Sequence, residues 1–204
     1  MARDTGARRD MGLLLLTGAL HLLFENVLHA KGPFLAAAGI VWLAWIVHRR
    51  REDPDLLHRW GVGSASGAAS VETAAVTVPA AVGLLWIAPR LGHAVPAHTA
   101  LLAALYLPWA LVQEVALQGI LLQGLETVLP PRMAVLAAGA LFGAAHLPDP
   151  TLSALTFAMG AVWAVLFRRH RTVRPLAVSH ATLGALTYLA ILGRDPLTTL
   201  LTHL

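Results

Sequence analysis

Long apolar runs recur along the chain, and between them stand short clusters of arginine. A backbone inside hydrocarbon has no water to bond, and a helix satisfies its polar groups within one segment. Hydrophobic residues make up 57% of the 204 and charged residues only 13%, where an ordinary soluble domain carries roughly a quarter. The mean hydropathy of +0.66 agrees. The fold class expected is all-α, a polytopic membrane helical bundle.

Seven spans can be laid out. The first begins at Met11 and runs past Thr17 toward His29; arginines precede it, but no convincing small-residue cleavage site follows, so it reads as a retained helix and not a signal peptide. The others are Pro33 to His48, Ala68 to Ala88, about His98 to Glu126, Met133 to Leu147, Thr151 to Phe167 and Pro175 to Leu192. Pro79 falls inside a span, where neighbouring helices can satisfy a freed carbonyl, and Pro108 is expected to kink the fourth span one to two turns before Glu114 and expose a carbonyl near the site. The polar stretch 52–67 reads as a linker that divides residues 1–51, a two-helix hairpin, from a helical core over residues 68–204.

Lys and Arg set the orientation. With the N-terminus cytoplasmic, twelve of the fifteen fall on inside segments, leaving Lys31, Arg90 and Arg194 outside. The pI of 10.6 has the same origin. The basic residues lie in loops without interleaved aromatics, so they orient the chain and do not bind nucleic acid. No cysteine is present, which excludes disulfides, thiolate metal sites and a cysteine nucleophile.

One carboxylate breaks the apolar pattern. Within Trp109 to Glu126, Glu114 lies deep in a hydrophobic run, flanked by Gln113 and followed one turn later by Gln118. A buried acid is costly unless it is paired, neutral or functional. Two imidazoles are candidate partners: His146 closes Phe142 to His146, and His180 follows Ser179 near the start of the last span. Glu114 precedes Pro130 by 16 residues and His146 follows Arg132 by 14, so at ~1.5 Å per residue the two lie level in a hairpin. His180, five residues past Pro175, looks shallower; either the basic loop dips inward or the fourth helix leaves the membrane near Gln123 to Glu126. His21, Glu25 and His29 form a second polar stripe at helical spacing, read as facing the bundle interior or the interface.

The order Q-E-x-x-x-Q-G, F-x-x-x-H, H-x-x-x-G resembles the three motifs EExxxR, FxxxH and HxxxN of the CPBP family, the CAAX prenyl proteases and bacteriocin-processing proteins. The resemblance runs from about Leu56 to Ala190 and takes in Trp60-Gly61, Gly119 and Phe157 to Gly160. Glu114, Phe142, His146 and His180 match; Gln113, Gln118 and Gly184 stand where the family has Glu, Arg and Asn. The first motif keeps one net negative charge, because one acid and one base are lost together.

The resemblance implies an intramembrane endopeptidase in a bacterial cytoplasmic membrane, acting on a membrane-anchored protein or peptide. In this reading Glu114 takes a proton from a water held jointly with His146, while His180 donates to the oxyanion or completes the water's coordination. Gln113 and Gln118 orient Glu114. The family precedent would assign the base to the position of Gln113, and glutamine cannot accept that proton. No cofactor is required in the favoured reading. Zinc on Glu114, His146 and His180 is the alternative, disfavoured by the missing HExxH spacing. The departures motivate a second function, an inactive relative serving as immunity factor, chaperone or scaffold. Transport is a third reading, weakened by the lack of an internal repeat.

Overall fold

A computed structural model describes residues 2–63 and 66–198. Most of those residues are helical, and no strand occurs among them. The helices are α1 Ala2–Asn26, α2 Lys31–Glu52, α3 Leu56–Arg59, α4 Gly67–Ile87, α5 Thr99–Glu114, α6 Gln123–Leu125, α7 Pro131–Ala144, α8 Pro150–His170 and α9 Arg174–Ala190. A 3-10 turn, Ala88–Leu91, extends α4, and a π-helical segment, Val115–Leu122, joins α5 to α6. Ser66 caps α4 by accepting from the Ala69 amide at 3.1 Å, and Asp149 caps α8 from Leu152 at 3.0 Å.

Among the described residues, four stretches are long and apolar enough to cross a membrane: Gly32–Glu52, Gly67–Leu91, Thr99–Leu125 and Pro150–His170. Apolar α7 has 14 residues and α9 has 17, both short for a crossing of roughly 20 residues. Pro79 and Pro108 both lie inside unbroken helix. The polar stripe on α1 is shorter than its spacing implied, because the helix ends at Asn26. His21 meets Glu25 at 2.9 Å, while His29 lies beyond the helix at φ 51° and off the stripe. His203 lies outside the described residues.

The backbone packs as two compact units. The first combines Met1–Ser64 with Val115–Arg171, and the second Ala65–Glu114 with Thr172–Leu204. In the first unit α7 packs closely on α8, and glycine makes this possible. A Cβ at Gly139 would meet the Phe157 carbonyl at 2.8 Å, and one at Gly143 the Ser153 carbonyl at 2.7 Å. Within the stretch 52–67, α3 buries Leu56, and Trp60 follows it into a cluster with Ile120. Gly119 allows this approach, since a Cβ there would lie 2.7 Å from the Trp60 carbonyl. Asp10 and Arg49 are both buried and join α1 to α2, with Arg49 Nε donating to Asp10 Oδ1 at 2.9 Å.

The second unit is built around α9, which packs against both α4 and α5. Its sequence is apolar on nearly every face, and Leu176, Ala181, Leu183, Leu186 and Leu189 are all buried. Thr77 on α4 donates to Ser179 Oγ at 2.7 Å.

Candidate active site

Glu114 is the last residue of α5 and is fully buried at 0% exposure. A carboxylate there needs a partner. His180, 4% exposed in the second turn of α9, supplies one: its Nδ1 lies 2.8 Å from Glu114 Oε1. The expected meeting of these two groups is found despite the short run from Pro175.

The other carboxylate oxygen is different. Glu114 Oε2 is buried and has no hydrogen-bond partner among the described residues. The Glu114–His180 pair thus keeps one oxygen unengaged in a site closed to solvent, where electrostatic effects are strong. That oxygen is the chemically available atom.

The far side of His180 faces a residue that motif reasoning missed. Tyr106 lies two turns before Gln113 on α5 and donates its hydroxyl proton to Gln113 Oε1 at 2.8 Å. The same hydroxyl oxygen is 3.4 Å from His180 Nε2, and the rings meet nearly edge to face at 78°. Gly184 lies beside this ring, and a Cβ there would come 2.8 Å from Tyr106 Cε1. The i, i+7 spacing to Gln113 was the available signal, because two full helical turns return nearly to the same face.

Phe142 and His146 belong to the first unit. Their i, i+4 spacing stacks them at the C-terminal end of α7, ring edge against ring face at 90° with centroids 4.9 Å apart. His146 Nδ1 lies 2.8 Å from the Phe142 carbonyl oxygen. A carbonyl only accepts, so Nδ1 carries the proton and a neutral His146 presents its lone pair at Nε2. That tautomer suits a group that accepts a proton or holds a water.

Gln118, also of the first unit, is fully buried in the π-helical segment. Neither its Oε1 nor its Nε2 has a hydrogen-bond partner among the described residues. Support from Gln113 is indirect, passing through Tyr106 to His180.

Among the described residues, no group of three His, Cys, Asp or Glu side chains is gathered closely enough to hold a metal ion. A cavity of about 210 Å³ lies elsewhere, in the first unit, between Trp60, Gly119, Arg59 and Arg171, and its lining includes none of the site residues.

Residues 95–186 match the family model described as Type II CAAX prenyl endopeptidase Rce1-like. The match spans just under half of the chain and is consistent with a CPBP family protease. It contains Tyr106, Gln113, Glu114, Gln118, Phe142, His146, His180 and Gly184. No curated protein and no solved structure matches the chain.

Proposed function

We propose that the chain is an intramembrane endopeptidase in which Glu114 is the general base for an attacking water. The observation that carries this reading is the buried Glu114–His180 contact, which holds Oε1 at 2.8 Å and leaves Oε2 unengaged. Oε2 takes one proton from the water, the resulting hydroxide adds to the scissile carbonyl, and that proton later leaves with the amine. Glu114 ends the cycle as it began.

Both ring nitrogens of His180 face protein oxygens, so its part is to orient and electrostatically support the carboxylate. In this reading His180 supports the carboxylate and does not donate to the oxyanion. His146, with its lone pair at Nε2, is the third member that the motif order assigns. The same engagement of His180 disfavours zinc, which would need a ring nitrogen now turned to Glu114 or Tyr106. The reaction is written without a metal.

The family description suggests a substrate class: a membrane-associated protein or peptide cleaved near its lipid-bearing C-terminal tail. The setting proposed is a bacterial cytoplasmic membrane. The test uses full-length protein in detergent with a farnesylated, internally quenched C-terminal peptide. Glu114→Gln, His146→Ala and His180→Ala should each lower cleavage by about 10² or more, the usual loss of an acid-base group. No cleavage by the wild type, with the biological activity unchanged in all three variants, would leave a non-catalytic scaffold or immunity role as the better reading. A chelator should leave wild-type turnover unchanged, and inhibition reversed by zinc would restore the metal alternative.

A further inference from the structure

Two departures from the family motifs, Gln113 and Gly184, both abut Tyr106. Gln113 accepts the tyrosine hydroxyl proton, and Gly184 provides the space in which the ring lies. Any side chain at 184 would press on Tyr106 Cε1 from 2.8 Å, so this position of the ring requires the glycine. A single tyrosine thus links both changes to the imidazole that holds Glu114.

The direction of these hydrogen bonds constrains the protons. A phenolic hydroxyl has one proton, and that of Tyr106 goes to Gln113 Oε1 at 2.8 Å. Tyr106 then offers only lone pairs to His180 Nε2 at 3.4 Å, and two lone pairs facing each other would repel. A proton on Nε2 removes the conflict. On the opposite side, the 2.8 Å contact between Nδ1 and Glu114 Oε1 also needs one proton between its atoms. With both in place the pair carries no net charge, as imidazolium with carboxylate or as imidazole with carboxylic acid. That is the charge state least costly to hold at 4% and 0% exposure.

We propose that Tyr106 is a positioning residue of the active site: its hydroxyl, fixed by Gln113, keeps the proton of His180 on Nε2 and turns Nδ1 toward Glu114. The proposal rests on the Glu114–His180 pair being the catalytic one. In this arrangement Gln113 supports the site through the tyrosine, and Gly184 is the space that the tyrosine needs. A bulkier residue at 184 and an intact Tyr106 are mutually exclusive in this geometry.

The test reads His180 directly and does not depend on turnover. Full-length protein with ¹⁵N-histidine in detergent micelles is examined by NMR, with the His180 signals identified through their loss in His180→Gln. The wild type should show a protonated Nε2 with slow hydrogen exchange. Tyr106→Phe keeps the ring and removes the acceptor, so the Nε2 proton should exchange faster and tautomers should mix. Gln113→Leu should move the same signals from the other side, and Gly184→Ala should reproduce the change by displacing the ring. On the farnesylated quenched peptide, Tyr106→Phe should lower kcat about tenfold with KM unchanged, the size of one lost hydrogen bond to a charged group.

A bare Nε2 in the wild type, or identical spectra in Tyr106→Phe, overturns the proposal. Inactive Glu114→Gln with unchanged Tyr106→Phe would remove this proposal alone. Fully active Glu114→Gln would remove Glu114 as the base, while the spectra would still decide whether Tyr106 fixes the imidazole.

Discussion

Adjacent residues on one helix have opposite chemistry here: Gln113 can only exchange hydrogen bonds, whereas Glu114 can take a proton. Gln113 bonds Tyr106, and Glu114 bonds His180 while retaining an unengaged oxygen. Gln113→Ala should therefore keep measurable turnover, reduced about tenfold through the loosened tyrosine. Glu114→Gln should abolish cleavage on the scale of about 10² to 10⁴. Side-by-side kcat measurements check this, and the reverse pattern would show that the base is assigned to the wrong residue. The Glu114–His180 meeting was legible in the sequence because two motifs preserve both residues in order. Tyr106 was not, since its i, i+7 spacing to Gln113 puts it on the same helical face but belongs to no motif that would set it apart in an apolar helix. The engagement of His180 Nε2 was hidden for the same reason.

Between elements, the spacing of small residues controls how closely backbones approach. Gly139 and Gly143 are one turn apart on α7, and each faces a carbonyl oxygen of α8. A backbone oxygen cannot rotate away as a side-chain end can. Gly139→Val and Gly143→Val should each separate the helices, with an overpacking cost of about 1–3 kcal/mol. Thermal unfolding in detergent should show a lower Tm for both. Gly83 on α4 has nothing within 4 Å of its projected Cβ, so Gly83→Ala should be neutral or slightly stabilising. Equal losses at all three positions would mean that helix propensity and not close approach is being measured. The close pairing was legible in the Ala and Gly content of residues 133–147. The π-helical segment was not, because a widened turn leaves no periodic trace in an almost uniformly apolar stretch. The early end of α1 was equally hidden: a 3.6-residue period identifies a stripe but not where the helix stops.

At the scale of the molecule, arginine-bearing segments that are distant in sequence meet within the first unit. Arg8 bonds Thr127, Arg49 bonds Asp10, Gln123 bonds the Arg59 carbonyl, and Arg168 and Arg171 bond Glu126. These include residues of the segments counted as inside from charge alone. Among the described residues, four helices are individually long and apolar enough to cross, so the wider seven-span proposal rests on α1, α7 and α9 crossing as well. Parity separates the alternatives. Four crossings return the C-terminus to the side of the N-terminus, whereas seven place the ends on opposite sides. A periplasmic alkaline phosphatase reporter at the C-terminus should therefore be active in a bacterial host, and one joined after Arg171 should be inactive. A cytoplasmic green reporter at the same two sites should give the complementary result. If both C-terminal fusions place that end in the cytoplasm while the N-terminus is also inside, the odd number fails and the short apolar helices must be reassigned. The contacts joining the arginine-bearing segments would stand in either case, because they do not depend on how many times the chain crosses.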